Sequence, residues 1–405
     1  MSRDRDGAPP APDGATAGAV EAAAKPPWQR DVRVLRVLAQ LAFLVVVILL
    51  VQWFAYNLTT NMRRLGIRRD FAFLDQPAGY RILGSDFVAS DKIRQALLVG
   101  LTNTVRVALI GMVLALIIGI LVGVGRLSTN WVVRRSASLY VELLRNVPPL
   151  VLVIYFYLAA LAALPRIEDA ALIGDAIILS NRGIWLPWFD AAPGAGTFGG
   201  ALVACLVLAL LVARWRTKVF ETTGRPHRRV LLSALTLGVS VGAAWVLLQP
   251  PVTLSLPVFG DRIVEGGLWL YPEYLSLLLS LVLYASSFIA EIVRGSIQAV
   301  HKGQSEAADS LGLSPWMRLR YVVLPQALRI AAPATGNEFL NLTKNVSLGI
   351  AVGFAEILRV ATQATGNGQP APQLLLMVLL GYLGLSLIIS FFVNVANRRL
   401  QLVER

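Results

Sequence analysis

The sequence predicts an all-α membrane protein of about eight transmembrane helices. Three observations carry that expectation. Of 405 residues, 56% are hydrophobic and only 15% are charged, where a soluble domain carries roughly a quarter charged residues. The apolar residues fall in long runs, many near the roughly 20 residues a helix needs to cross the hydrocarbon core. The net charge of +13 gathers between those runs, as it does in the cytoplasmic loops of membrane proteins. No RNA-binding aromatic motif accompanies the charge, so it does not point to nucleic acid.

The elements follow in chain order. Residues 1–34 are polar and rich in Pro, Ala and Gly, without an apolar run. They are expected to form a disordered cytoplasmic tail rather than a cleavable signal. Spans are expected at 35–56, 97–124, 139–163, 199–213, 230–249, 274–293, 327–350 and 373–395, the fourth being short. Eight spans place both termini on one side. The positive-inside rule then puts Arg126, Arg134, Arg135, the cluster Arg214 to Arg229, Arg294, Lys302, Arg318, Arg320, Arg398 and Arg399 in the cytoplasm. Segment 57–96 objects. It holds Arg63, Arg64, Arg68, Arg69, Arg81, Lys92 and Arg94, yet falls outside. The resulting division is an extra first helix with an external loop (35–96), a core in two parts (97–163 and 274–398), an inserted helical hairpin with loops (164–273) and a short cytoplasmic tail (399–405). Trp53, Tyr56, Trp185, Trp188, Trp269, Tyr271 and Tyr274 sit at span ends as interface anchors or packing residues.

The sequence lacks the chemistry of an enzyme. Cys205 is the only cysteine, and His227 and His301 are the only histidines. An internal disulfide is excluded, and a Cys or His metal centre is not expected. No G-x-x-x-x-G-K-[ST], H-E-x-x-H, C-x-x-C or G-x-S-x-G pattern occurs. The glycines of GVGRLS (123–128) are expected to serve helix packing.

One polar segment interrupts the apolar pattern between the sixth and seventh spans: EAADSLGLSPWMRLRYVVLPQA, Glu306 to Ala327. Glu306, Ala307 and Ala308 favour a helical turn. Gly312 marks a bend. Ser314 suits an N-cap and Pro315 the first position of a new helix. That second helix is expected to end at Pro325. Such an element would lie along the membrane face and present a rigid knob to a soluble partner.

This pattern resembles the EAA loop in the permease subunits of ATP-binding-cassette importers, through Glu306, Ala307, Ala308, Gly312, Leu324 and Pro325. Val322 stands where Ile is usual. GLTNTVRVALIG (100–111), YVELLRNVPPLVLV (140–153), AEIVRGSIQAVHKGQSEAA (290–308) and LPQALRIAAPATGNEFLNLTKNVSL (324–348) are similar to the polar amino acid family. The longer build resembles the general L-amino acid permeases, which serve glutamate, glutamine, aspartate, asparagine and relatives. The resemblance implies a type I permease core of five helices in a bacterial inner membrane. It implies a second similar permease, two ATPase subunits and a periplasmic amino acid-binding protein as partners. ATP and Mg would sit on the partner ATPase, so this chain would need no cofactor. The loop 306–325 would be the helix that docks on the ATPase.

Polar residues inside spans are costly and usually functional. The richest cluster is in the seventh span, where Asn337, Asn341 and Lys344 recur at helical spacing with Ser347, beside Glu338. An amino acid zwitterion needs partners of both signs, which Glu338 and Lys344 could supply. A structural network that holds helices together is the other reading. In the third span Glu142 and Arg145 are spaced to pair, and Pro148 and Pro149 kink the helix or begin a new one. Glu291 and Arg294 form a similar pair. Thr102, Asn103, Thr104 and Arg106 are assigned to the binding protein or the pathway. Two other functions compete with an ATP-driven importer: an ion-coupled secondary amino acid transporter and a membrane scaffold or receptor subunit. The first does not account for the Glu306–Pro325 pattern, and the polar stripe of the seventh span argues against the second.

Overall fold

The computed structural model of the chain describes residues 32–174, 176–191, 195–223, 229–248, 252–259 and 264–400. Most of the two expected tails, together with Arg225, His227 and Arg228, lies outside the described residues. The chain divides into two compact units, Met1–Arg69 and Asp70–Arg405.

The first unit holds α1 (Val32–Arg64). It runs past its apolar stretch because polar side chains bond back to the helix: Asn57 donates to the Trp53 carbonyl at 2.8 Å and Thr59 to that of Tyr56 at 3.0 Å. Gly66, at φ 67°, lets Ile67 N–H reach back to the Met62 carbonyl and close the end.

The second unit opens with residues 70–92, which fold back as a small cap. Phe73, Ala78, Tyr80, Ile82 and Phe87 form its apolar side. Asp75 pairs with Lys92 and Arg94, and these partners hold its carboxyl below the usual range. Part of the unexpected positive charge of 57–96 is therefore neutralised locally.

The core is built on α2 (Ile93–Gly125), α3 (Trp131–Asn146) and α4 (Pro149–Tyr155). The expected third span is not one straight helix. Asn130 caps α3 through Val132 and Val133 N–H groups. Pro148 and Pro149 then end α3 and start α4, which with its π-helical extension turns by 101° from α3.

The insertion contains strands that the sequence reading left as loops. β1 (Ala171–Ile173), β2 (Ile177–Ser180) and β3 (Gly183–Leu186) lead to β4 (Trp188–Ala191). α5 (Ala195–Thr223) and α6 (Arg229–Leu248) then form the helical hairpin. The chain returns through β5 (Val252–Ser255), β6 (Val258–Phe259), β7 (Val264–Glu265) and β8 (Leu268–Leu270). β8 completes an antiparallel sheet of order β1-β2-β3-β8, and β4 pairs with β5 across the base of the hairpin. Trp185 and Trp269 are register partners whose rings stack 5.8 Å apart. Cys205 is buried with Phe198 and Ala244 between α5 and α6.

The core resumes with α7 (Pro272–Gln298), α8 (Lys302–Ser310), α9 (Pro315–Arg318) and α10 (Leu324–Asn345). α11 (Ile357–Gly366) and α12 (Ala371–Leu400) end the described chain. Tyr271 and Tyr274 pack in the apolar core with Phe354. α2 and α7 make the central contact. A Cβ on Gly119 or Gly123 would lie within 3 Å of Ile289 or Ala290, so these glycines let the two helices touch, as small residues do in membranes. Among the described residues, six helices are long and apolar enough to cross a membrane, and eight spans result if each of two bent pairs counts as one. The fourth expected span, short in sequence, is carried by the full length of α5.

Candidate functional site

Two arrangements hold the residues that the sequence marks as functional: the loop between α7 and α10, and the polar face of α10.

The loop has the expected helix–bend–helix form. His301 caps α8 by accepting from Gly303 N–H at 3.1 Å. Glu306 and Ala307 face outward, while Ala308 is buried. Gly312 follows at φ 73°, the left-handed region that favours glycine, and a Cβ there would meet nothing within 4 Å. The bend therefore needs glycine for its backbone and not for space inside this chain. Ser314 caps α9 through Met317 N–H. Arg318 donates to both carboxylate oxygens of Asp309 at 2.7 and 2.6 Å, tying α9 to α8. Leu311 is 80% exposed and Trp316 is 66% exposed, an apolar knob on a polar segment.

One expectation fails here. Pro325 does not end the second helix. A π-helical turn over Leu319–Val323 carries the chain from α9 into α10, and Pro325 falls in the first turn of α10. The widened turn accommodates a residue without an N–H, so the helix bends rather than stops. Leu324 is exposed at this junction.

Along α10, Asn337, Asn341 and Lys344 are all exposed on this chain, on a helix whose opposite side is buried through Gly336, Leu342 and Thr343. Asn341 donates to Glu338 at 3.4 Å, as the three-residue spacing implied. Ser347 donates to the Lys344 carbonyl at 2.8 Å where α10 tightens into a 3-10 turn. Glu338 and Lys344 do not meet. Six residues make one and two-thirds turns, which sends the two side chains to different sides of the helix.

The cation whose charge is felt at Glu338 lies on another helix and forms no ion pair with it. Arg145, at the end of α3, lies where its charge acts on Glu338 and on Tyr284 of α7. Its guanidinium stands 4.9 Å from the Phe288 ring centre and 3.9 Å from Glu291. The expected Glu142–Arg145 pair is absent; the Glu142 carbonyl accepts from Asn146 instead. Arg145 reaches across to α7 because α3 packs along that helix, with the Tyr140 hydroxyl 2.7 Å from Ser286 Oγ. The Glu291–Arg294 pair forms as expected, and Arg126 hydrogen-bonds the same carboxylate. Glu291 thus joins the end of α2 to α7, a role no local spacing signals, since Arg126 is 165 residues away in sequence.

Asn103 and Thr104 are buried and hold the broken segment after α10. Asn103 donates to the Ala355 carbonyl at 3.0 Å, and Thr104 accepts from Ile357 N–H at 3.2 Å. Arg106 and Thr102 remain exposed. The same break contains Glu356, fully buried, which the sequence reading missed. It caps α11 through Leu358 and Arg359 N–H groups and accepts from the Tyr382 hydroxyl of α12 at 2.8 Å.

A family signature described as the binding-protein-dependent transport system inner membrane component matches residues 115–402. The chain belongs to this family. It is 40% identical to the general L-amino acid transport system permease protein AapQ of Rhizobium johnstonii, over 90% of this chain and 92% of that one. It is 34% identical to the glutamate/glutamine/aspartate/asparagine transport system permease protein BztB of Rhodobacter capsulatus, over 93% and 96%. The glutamine transport system permease protein GlnP of Escherichia coli is 34% identical over 43% of this chain and 87% of its own length. The protein is a multi-pass permease subunit of an ATP-binding-cassette amino acid importer. The ion-coupled alternative finds no support among these relatives.

Proposed function

We propose that this protein forms one side of the pathway by which an ATP-driven importer carries L-amino acids such as glutamate, glutamine, aspartate and asparagine. One observation carries the pathway assignment. Asn337, Asn341 and Lys344 lie uncovered on α10 among lipid-length apolar helices. Such groups are costly against hydrocarbon and fit a water-lined cavity or a partner. Asn337, Glu338, Asn341, Lys344 and Ser347 line that path. A second, similar permease covers the opposite side. Both termini lie in the cytoplasm, which places the 306–325 loop there too.

Two ATPase subunits on the cytoplasmic face bind ATP and Mg, and this chain hydrolyses nothing. Glu306, Ala307, Ala308, Gly312, Leu324 and Pro325 shape the element that meets the ATPase, with Leu311 and Trp316 as its apolar contacts. A periplasmic binding protein delivers the amino acid. Closure of the ATPase pair pushes on α8 and α9, and the continuous path through the π-turn passes that motion to α10.

Gly312→Asp tests the coupling role. Asp tolerates the left-handed backbone better than most residues, and a side chain at Gly312 meets nothing in this chain. The variant is expected to reach the membrane at normal levels and to lose ATP-driven uptake. Normal uptake at normal expression would remove the loop from the coupling path.

A further inference from the structure

We propose that the basic end of α5, in the inserted hairpin, binds an anionic phospholipid, with the headgroup at Arg214 and an acyl chain along Val207, Leu210 and Leu211.

A cleft of about 440 Å³ opens on α5, lined by Val207, Leu210, Leu211, Ala213, Arg214 and Thr217. That volume suits a small-molecule site. The lining changes character along the helix. Val207, Leu210 and Leu211 make an apolar floor, and steps of three and four residues bring Arg214 and Thr217 to the same side. The Thr217 hydroxyl donates to the Ala213 carbonyl at 2.9 Å, which leaves Arg214 as the charged donor of the cleft. From Val207 to Thr217 the helix rises about 15 Å. This is half of a hydrocarbon core of about 30 Å, the depth of one lipid leaflet.

Aromatic rings fix the level. Trp215, 60% exposed, follows Arg214, and the Arg216 guanidinium stands 5.7 Å from its ring centre. Tryptophan favours the headgroup level. At the other end of the hairpin Phe198 meets Trp245 edge-on at 5.9 Å. Phe198 and Trp215 are about 26 Å apart along α5. The two aromatic levels bracket the hydrocarbon and put Arg214 where phosphates lie.

Charge and packing select the occupant. From Arg214 to Arg229 the sequence carries six Lys and Arg residues against the single carboxylate Glu221. Such clusters beside a span attract anionic lipid. Phe198, Cys205, Ala209 and Ala244 are buried in the other half of the hairpin, whereas no described residue of α5 beyond Ala209 is. An acidic peptide fits the charge and not the apolar floor. A second membrane helix fits the floor and not the charge. An anionic phospholipid fits both.

The test uses the full chain, purified in detergent and stripped of lipid, with native mass spectrometry to count phospholipids added back. Dioleoyl phosphatidylglycerol is expected to add one saturable copy, at least fivefold more tightly than dioleoyl phosphatidylcholine. R214Q should weaken that copy about fivefold, the ~1 kcal/mol that one basic residue contributes at an anionic membrane surface. R135Q removes the same charge from an exposed position of α3 and should change nothing. Dihexanoyl phosphatidylglycerol, too short to fill the floor, should bind at least tenfold more weakly. Glycerol 3-phosphate at a hundredfold excess should not displace the dioleoyl lipid. In native membranes, Leu211→p-benzoylphenylalanine should photocrosslink to phospholipid. Equal affinity for the two dioleoyl headgroups, wild-type affinity in R214Q, an equal loss in R135Q, or tight binding of the dihexanoyl lipid would overturn the site. Displacement by glycerol 3-phosphate would make it a soluble-phosphate site, and a crosslink to polypeptide would put a membrane helix there; either refutes the proposal.

Discussion

The contact between α2 and α7 makes a sharp prediction about two glycines. A Cβ placed on Gly119 would lie 2.6 Å from Ile289 Cγ2 and 3.1 Å from the Ser286 carbonyl oxygen. On Gly123 it would lie 2.8 Å from the Ala290 carbonyl oxygen and 2.8 Å from Val293 Cβ. Carbon atoms pack best at about 3.5–4.0 Å. The backbone carbonyls and the branched Cβ atoms here have no flexible end to swing away. The helices would have to part by roughly 1 Å, and overpacking of this kind costs about 1–3 kcal/mol. Ala gains up to about 1 kcal/mol over Gly in a helix interior. G119A and G123A should therefore each lose on the order of 1–2 kcal/mol. The double variant need not lose the sum, because both sites press on the same stretch of α7. Gly242 in α6 is the control: nothing lies within 4 Å of its Cβ position, so G242A should gain up to about 1 kcal/mol. Unfolding of the purified protein in mild detergent, followed by tryptophan fluorescence, gives both signs in one assay. Equal midpoints for G123A and G242A would refute the claim that backbone approach sets this contact.

Other perturbations follow from named contacts. Glu356→Ala removes the α11 cap, worth about 1 kcal/mol, and takes its carboxylate acceptor from the half-buried Tyr382 hydroxyl, which keeps Thr104 and Ser347 as neighbours, at about 1 kcal/mol more. Tyr382→Phe in the E356A background should recover part of that loss in the same unfolding assay, and no recovery would deny the hydroxyl its role. Tyr80, whose hydroxyl donates to the Val360 carbonyl, has its pKa pushed up to about 12 by burial. Because the folded state holds this proton more tightly than the unfolded state, stability falls as pH rises from about 10 to about 12. Tyr80→Phe should flatten that part of the profile, and an unchanged slope would count against burial as its cause.

The spans were legible because apolar length is a direct physical requirement of the bilayer. The loop from Glu306 to Ala327 was legible because a bend that needs a left-handed residue, a cap and a Pro at the helix start leave local marks. Sequence gave no comparable mark for the π-turn at Leu319–Val323, since Pro325 reads as a stop unless the turn before it widens. The strands flanking the hairpin are each two to four residues long, too short to show alternation. Pairings between distant elements were hidden for a different reason. Arg145 has Glu142 one turn away in sequence, and only the packing of α3 on α7 brings it to Glu291 and Phe288. Glu356 looked like an ordinary loop carboxylate, and its burial follows from a break in a span that hydropathy cannot see.

The pairing of β4 with β5 has a further consequence. Ala191 and Val252 are register partners at the foot of the α5–α6 hairpin, so their Cα atoms stand about 5 Å apart. A tight turn could join them and omit 192–251 altogether. Because two membrane crossings leave together, every later helix would keep its orientation. The hairpin is thus a detachable cassette, and a shortened chain built this way is a natural scaffold for asking which functions survive on the core alone.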